Sequence, residues 1–245
     1  LSQPYFKPPA GTPATYVGYP TLPTDAVTRA ISEAAARDIP VLAHANGDAA
    51  AEMLIDAVAA VRKADPSSRP DVVMIHAQTV RDDQLDRMAQ LGMRPSFFVA
   101  HTYYWGDWHR DETLGPVRAE HISPTRSAID RGLSFTLHND APVVPPSMVN
   151  TVWSATTRRT RSGDILGPTQ RLTTWEALRG VTINAARQQG DESLKGSIEV
   201  GKQADFVVLS TDPLTIDTEK LRDVRVLQTI AHGKVVWRAE DTLVR

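Results

Sequence analysis

The chain has 245 residues, 41% of them hydrophobic, and a formal net charge of −2. It can therefore bury the core of one large domain or of one and a half, and its balanced charge gives no electrostatic basis for binding nucleic acid or an anionic membrane. No apolar run approaches the roughly 20 residues of a membrane span, and the lack of a signal-peptide pattern favours a cytoplasmic location. Because cysteine is absent, a bound metal would need His, Asp, Glu or a modified Lys as ligands.

The first part of the chain predicts a loop followed by buried strands. Six prolines fall within the first 24 residues, which is typical of a long loop. Four short apolar runs follow, and they do not alternate with polar residues. Such runs indicate parallel strands that are covered on both faces. The predicted strands are residues 39–43, 72–75, 96–100 and 133–137.

Helical patterns separate these strands. Apolar stripes predict helices before and after the first strand. Thr79 is predicted to cap the next helix and Gly92 to end it, while Ser123 and Pro124 are predicted to open a fourth that Gly132 ends. The alternation of helices and strands indicates successive βα units in a parallel sheet or barrel.

The pattern changes near the C-terminal end. Two helical stretches follow the fourth strand, and one opens with the capping-box pattern of Thr173 and Glu176. From about Lys195, segments 196–202, 204–209 and 229–237 are typical of short strands with glycine turns. The sequence therefore predicts one domain over residues 1–190 and part of a small β-domain over residues 191–245.

Each predicted strand ends in a histidine. Carboxyl ends of parallel strands meet at one edge of a sheet, where active sites are built. A single histidine there is more often a structural residue, but four in register favour a metal site for Zn²⁺ or a similar ion. These histidines are His44, His76, His101 and His138. The other three are predicted to lie at the surface or in loops: His109, His121 and His232.

A carboxylate accompanies the last of these histidines. Asp140 follows His138 by two residues, so it could bind metal and act as a general base toward water. The alternative is that Asp140 only caps the following loop. Asp48 is interpreted as a helix cap.

Several of these segments resemble a known family. Segments 44–48 (HANGD), 75–78 (IHAQ) and 139–143 (NDAPV) are similar to the motifs of strands 5, 6 and 8 in the amidohydrolase superfamily. The nearest branch is the amidohydrolase-3 family, which includes the N-substituted formamide deformylases. Segments 182–186 and 195–209 resemble the signature that follows the barrel in this superfamily. The resemblance covers nearly the whole chain.

The resemblance implies a fold and a metal centre. The fold would be the C-terminal half of a (β/α)₈ TIM barrel, strands 5–8, plus part of a small β-sandwich. The full-length enzyme would hold one or two divalent metal ions, usually zinc. His44, His76 and Asp140 would be metal ligands, and Asp140 would also move the proton of the attacking water.

The resemblance also implies a reaction and a substrate pocket. The reaction would be hydrolysis of a C–N bond in a small amide- or formamide-type substrate by metal-activated water. His101, Trp105 and Arg118 would line the substrate pocket. The identity of the substrate does not follow from the sequence.

The chain departs from the family pattern in two ways. It has no His-x-His pair and no bridging strand-4 residue, and segment 1–5 resembles the loop just after strand 4. We therefore expect that strands 1–4 lie outside this chain and that the chain alone is inactive. We also expect it to self-associate or to recapture its missing N-terminal half. His138 replaces the small residue of many relatives and is interpreted as a support for the ligands.

Two other functions remain open at this stage. One is a non-catalytic half-barrel that serves as an assembly or binding module. The other is a metal-free barrel enzyme that acts on phosphorylated substrates, which predicts a glycine-rich phosphate loop after the last strands. Segment 141–146 contains no glycine, which argues against this second alternative.

Overall fold

A parallel sheet forms the centre of the larger part of the molecule. The computed structural model describes residues 1–239. Four neighbouring strands pair in parallel and in chain order, which confirms the predicted parallel sheet. The strands are β1 (Val41–Ala45), β2 (Val72–His76), β3 (Arg94–Phe97) and β4 (Thr136–Leu137).

Helices connect the strands, as the alternating pattern predicts. Before β1 lies α1, and α2 and α3 form the first two connections. The β3–β4 connection is long and holds α4, a π-helical turn, α5 and α6, while three helices follow β4. The bounds are α1 (Thr24–Ala35), α2 (Asp48–Ala64), α3 (Asp82–Leu91), α4 (His101–Trp108), the π-helical turn (His109–Thr113), α5 (Gly115–Ala119), α6 (Thr125–Asp130), α7 (Met148–Thr157), α8 (Thr174–Val181) and α9 (Ile183–Gln188).

The core lies between the sheet and the helices that cover it. Ile55 and Val58 of α2 and Met88 of α3 are completely buried in one cluster with Val72 and Met74 of β2. Each side chain of this size contributes about 1.5–3 kcal/mol when it leaves water. The helix faces that pack on the sheet therefore fix the positions of the strand ends.

Two predicted helix starts are wrong. α3 begins at Asp82 with Arg81 as its N-cap, whereas the Thr79 hydroxyl donates to the carbonyl of Asn46 at 2.8 Å. Thr79 thus joins the β2 loop to the β1 loop instead of capping a helix. α6 begins at Thr125, and Ser123 before it has a left-handed φ of 47°.

Three other predicted helix signals are confirmed. Gly92 follows α3 with a φ of 72° and Gly132 follows α6 with a φ of 69°, a backbone conformation that glycine adopts without strain. Thr173 and Glu176 form the predicted capping box of α8. The capping role predicted for Asp48 is wrong, because Gly47 is the N-cap of α2 and Asp48 is its first residue. The Asp48 carboxylate accepts from the amide of Ala49 at 3.0 Å and from that of Ser2 at 2.8 Å.

The C-terminal part forms a small antiparallel sheet. Its strands are β5 (Phe206–Leu209), β6 (Val226–Ala231) and β7 (Lys234–Arg238), in that order. The strand prediction for residues 196–202 is wrong, because this segment turns through two left-handed glycines, Gly196 and Gly201. The predicted strand 229–237 is divided by a hairpin turn at His232 and Gly233. Residues 240–245 of the predicted second domain lie outside the described residues.

A cation–π contact joins the segment between β5 and β6 to the larger part. The Arg222 guanidinium lies 4.7 Å from the ring centre of Trp153 on α7 and 5.5 Å from that of Tyr103 on α4. Such contacts contribute about 0.5–2 kcal/mol. Within residues 1–239, no helix is both long and apolar enough to cross a membrane.

Two glycines with similar backbone conformations, Gly167 and Gly132, give a matched test of how tightly the chain packs around Gly167. Gly167 has a φ of 64°, and a methyl group there would overlap the carbonyl oxygen of Glu120, whereas Gly132 has open space around it. We expect Gly132→Ala to lower the free energy of unfolding by about 1–2 kcal/mol and Gly167→Ala by about 2–5 kcal/mol. Urea unfolding measures both, and equal losses would contradict the described packing around Gly167.

Candidate metal centre

Three histidines converge at the carboxyl ends of β1, β2 and β4. The ring centres of His44 and His76 lie 4.5 Å apart, and those of His76 and His138 lie 5.1 Å apart. His76, His138 and Asp140 each offer a ligand atom, and these three atoms lie within 4.8 Å of one another. This close group contains two of the three predicted ligands, His76 and Asp140, together with His138, while His44 lies beside His76.

The backbone turns sharply where these residues lie. Strand register pairs His76 with Ala45 and Phe97. The φ values of His76 (74°), Ala77 (46°) and Asp140 (56°) are all left-handed. Non-glycine residues rarely adopt this conformation, and where they do so it commonly marks a functional site.

A series of hydrogen bonds holds the His138 ring in place. Its Nδ1 lies 2.9 Å from the Ser96 hydroxyl, and its Nε2 lies 3.4 Å from Nδ1 of His76. The hydroxyls of Ser96 and Thr136 are 2.7 Å apart, and Thr136 donates to Oε1 of Gln188 on α9 at 2.7 Å. Ser96 and Thr136 are both buried, so these bonds hold the His138 ring in one orientation.

The environment keeps the central imidazoles neutral. Burial lowers the pKa of His76, and the neighbouring His44 lowers it further. Burial, with His76 as the next cause, lowers the pKa of His138 to about 4. A neutral imidazole is the form that binds metal. Because these nitrogen donors stand beside the Asp140 carboxylate, the residues present fit zinc or a similar divalent ion.

His101 does not end a strand, contrary to the sequence prediction. β3 ends at Phe97, and His101 is the first residue of α4. Its ring still lies near the cluster, 6.3 Å from the ring of His76 and 4.9 Å from that of Trp105. Residues 98–100 are buried loop residues, and their apolar character imitates a longer strand.

Arg118 makes contacts that the sequence does not reveal. Its guanidinium donates to the carbonyl of Leu114 at 2.7 Å and to that of Pro4 at 2.6 Å. It thereby fastens the N-terminal loop to the insertion between β3 and β4. Its role toward a substrate, like those of His101 and Trp105, stays a prediction.

A cavity of about 380 Å³ lies beside His101, and His44, His76, His138 and Asp140 are not among the residues that line it. His101 lines it together with the polar side chains of Asn46 and Gln78. Tyr5, Tyr19 and Trp108 contribute aromatic surface. Among the lining residues described, none carries an Asp, Glu, Lys or Arg side chain, so the cavity suits an uncharged ligand.

The surface-or-loop prediction is wrong for His109. It lies in the π-helical turn after α4, is partly buried, and lines the same cavity as His101. Its position eight residues beyond His101 places both near one face of a helix, a spacing that could have identified it. The prediction is confirmed for His121, in a turn beside Asp82, and for His232, exposed in the β6–β7 hairpin.

The sequence matches a known family over almost its full length. The model of the amidohydrolase family (Amidohydro_3) matches residues 1–237. The chain belongs to the amidohydrolase family. The family resemblance of the sequence is therefore confirmed.

Curated relatives of this amidohydrolase chain are longer proteins. It is 35% identical over 207 residues to the N-substituted formamide deformylase of Arthrobacter pascens, which covers 81% of this chain and 36% of that protein. It is 29% identical over 201 residues to the protein LONG AFTER FAR-RED 3 of Arabidopsis thaliana, which covers 81% of this chain and 34% of that protein. The chain thus spans about a third of the length of these relatives.

Solved structures share the fold. An uncharacterized metal-dependent hydrolase from Pyrococcus horikoshii has a TM-score of 0.74 at 25% identity, covering 89% of this chain and 42% of that one. An amidohydrolase from Thermotoga maritima has a TM-score of 0.61 at 20% identity, covering 84% and 46%. The second likeness concerns the fold alone.

The buried histidines predict acid sensitivity. Burial lowers the pKa of His109 to about 4. Between pH 6.5 and 4, His109 is therefore protonated in the unfolded chain and neutral in the folded chain. Stability that is complete above pH 6.5 is therefore lost as the pH falls. We expect His109→Gln to reduce the loss of unfolding free energy between pH 7 and 4.5 by about 1–3 kcal/mol. Urea titrations measure it, with exposed His232→Gln as the control, and an unchanged pH slope in His109→Gln would contradict it.

Proposed function

We propose that this chain is the C-terminal half of the barrel of a metal-dependent hydrolase that cleaves a C–N bond in a small amide- or formamide-type substrate. The observation that carries the proposal is the convergence of His44, His76, His138 and Asp140 at the carboxyl edge of one parallel sheet. Membership of the amidohydrolase family and the likeness to a metal-dependent hydrolase support it.

The proposed ligands are His44, His76 and Asp140, with His138 as a further donor beside them. When bound, a divalent metal such as zinc supplies Lewis acidity, which polarises a carbonyl and lowers the pKa of water. His76 and His138 offer neutral imidazole nitrogens as donors, because burial lowers their pKa values. Asp140 adds the carboxylate that completes a nitrogen and oxygen donor set.

Asp140 is the proposed catalytic base and acid. Its carboxylate takes a proton from the attacking water, whose oxygen bonds to the carbonyl carbon. When the C–N bond breaks, Asp140 passes this proton to the leaving nitrogen, so the products are a carboxylic acid and an amine. The neutral, partly aromatic cavity beside His101 and Trp105 would receive the substrate.

The rest of the barrel is proposed to come from outside the described strands. In the sheet of residues 1–239, β1 pairs only with β2, so its other edge is open. Leu42 on β1 is 56% exposed, and Ile39 just before it is 51% exposed. An open apolar edge of this kind favours pairing with another strand. We propose strands 1–4 of the same protein as the partner, with self-association of the chain when they are absent.

The same open edge favours the second candidate, a non-catalytic assembly module. A module would use the edge of β1 for pairing and would need no metal. Metal binding and turnover therefore separate the two candidates.

Metal binding tests the ligand assignment. We expect His76→Ala to weaken zinc binding by more than the roughly 10- to 100-fold that loss of a supporting residue costs. His44→Ala should have the same effect, because His44 is a proposed ligand. His138→Ala should have a smaller effect, because His138 is a further donor beside these ligands. Competition with a chromogenic chelator measures the affinities, with His232→Ala as the control. Full zinc affinity in His76→Ala would refute the proposed centre.

Complementation tests the half-barrel. We expect residues 1–245 alone to show no turnover of formamides and simple amides with added zinc. Turnover should appear when the upstream segment of the parent protein is supplied as a second chain, and Asp140→Asn should abolish it. Release of amine is the measurement. Strong turnover by the lone chain would refute the missing-half proposal, whereas a folded two-chain complex without turnover would favour the assembly module.

A further inference from the structure

His109 is held by hydrogen bonds at both ring nitrogens. Its Nδ1 lies 3.0 Å from the Thr113 hydroxyl. Its Nε2 lies 2.8 Å from the side-chain amide nitrogen of Gln78 and 3.2 Å from Nδ1 of His101. These four side chains connect the end of β2, the start of α4 and the π-helical turn.

The partners fix the position of the proton on His109. The amide nitrogen of Gln78 can only donate, so Nε2 of His109 must accept. The Thr113 hydroxyl donates to the carbonyl of His109 at 3.4 Å, so its oxygen is free to accept from Nδ1–H of His109. Both ends of the ring therefore indicate the same tautomer, with the proton on Nδ1.

This tautomer determines that of His101. The single lone pair on Nε2 of His109 faces both the Gln78 amide nitrogen at 2.8 Å and Nδ1 of His101 at 3.2 Å, so a proton on Nδ1 of His101 shares this acceptor in a three-centre hydrogen bond. Nε2 of His101 then has a free lone pair. It has no hydrogen-bond partner within residues 1–239, and His101 lines the cavity described above.

Both rings are neutral at ordinary pH. Burial lowers the pKa of His101 to about 3, with His109 as the next cause, and burial lowers the pKa of His109 to about 4. A neutral histidine donates from one nitrogen and accepts at the other. The cavity therefore presents an acceptor at Nε2 of His101 and not a positive charge.

We propose that His109 is a positioning residue that fixes His101 as its Nδ1–H tautomer, so that Nε2 of His101 accepts a hydrogen bond from the N–H of a secondary amide. The substrate half of this inference rests on the proposed function. The class of substrate is an uncharged amide with at least one N–H, since the cavity lining offers no charged side chain and a tertiary amide has no proton to donate.

The local fold supports a positioning role. His109 begins a five-residue π-helical turn directly after α4. Such turns are rare in helices and occur frequently at functional sites. Within it, Thr113 lies four residues after His109 and its hydroxyl faces Nδ1 of His109.

Nitrogen-15 NMR of the histidine rings tests the positioning half without any need for metal or turnover. In the metal-free chain we expect His101 to show a protonated Nδ1 and an unprotonated Nε2. His109→Gln keeps an acceptor oxygen near the same place and should preserve this pattern. His109→Leu removes the acceptor and should shift His101 toward the Nε2–H form.

Two results would overturn the positioning half. One is an Nε2–H form of His101 in the unaltered chain, and the other is an unchanged tautomer in His109→Leu. If His109→Leu does not fold, Thr113→Val replaces it, because that variant removes only the acceptor at Nδ1 of His109. It should loosen the His109 ring and broaden the His101 signals, and unaltered signals would also overturn the assignment.

A matched pair of ligands tests the substrate half. N-butylformamide has one N–H, and N-butyl-N-methylformamide has none. In an NMR titration of the chain we expect the secondary amide to bind about 2- to 10-fold more tightly than the tertiary amide, because it forms one additional hydrogen bond. The preference should persist in His109→Gln and disappear in His109→Leu, which separates the hydrogen bond from the bulk of the extra methyl group.

The outcomes distinguish this inference from the proposed function. Equal affinity for the two formamides, or no binding of either, would overturn the substrate half whatever the tautomer. Preferential binding without hydrolysis in the complemented protein would sustain the inference and refute the proposed reaction.

Discussion

The parallel register of β1 to β4 is the constraint on which the remaining structure depends. Because His44 pairs with Ile75 and His76 with Phe97, the strands end at one common edge. Buried residues of α2 and α3 hold this register through the hydrophobic core. Without it the histidines would be scattered along the sheet, and no common site could form.

Most of the architecture could be predicted from the sequence, because continuous apolar runs and helix caps are local signals. The boundaries near the site could not. Residues 98–100 are apolar loop residues buried beside the histidines, so they imitate a continuation of β3. Segment 196–202 turns at Gly196 and Gly201, where the need for a left-handed backbone outweighs the strand-like composition.

The candidate site was predictable in outline and not in detail. His44, His76 and Asp140 follow from strand ends and motifs. His109 was harder to predict, because its role depends on Gln78 and His101, which lie 31 and 8 residues away in the chain. His138 is unusual already in the sequence, but its bonds to Ser96 and His76 depend on the pairing of distant strands.

The chain of bonds from His138 through Ser96 and Thr136 reaches Gln188, the last residue of α9. The segment that leaves α9 leads directly to the antiparallel sheet. A change of one side chain at that remote helix end can therefore alter the electron-donating strength of an imidazole at the strand edge without touching it. Evolution could adjust the affinity of the proposed centre for one metal over another from this position, while the proposed ligands stay the same.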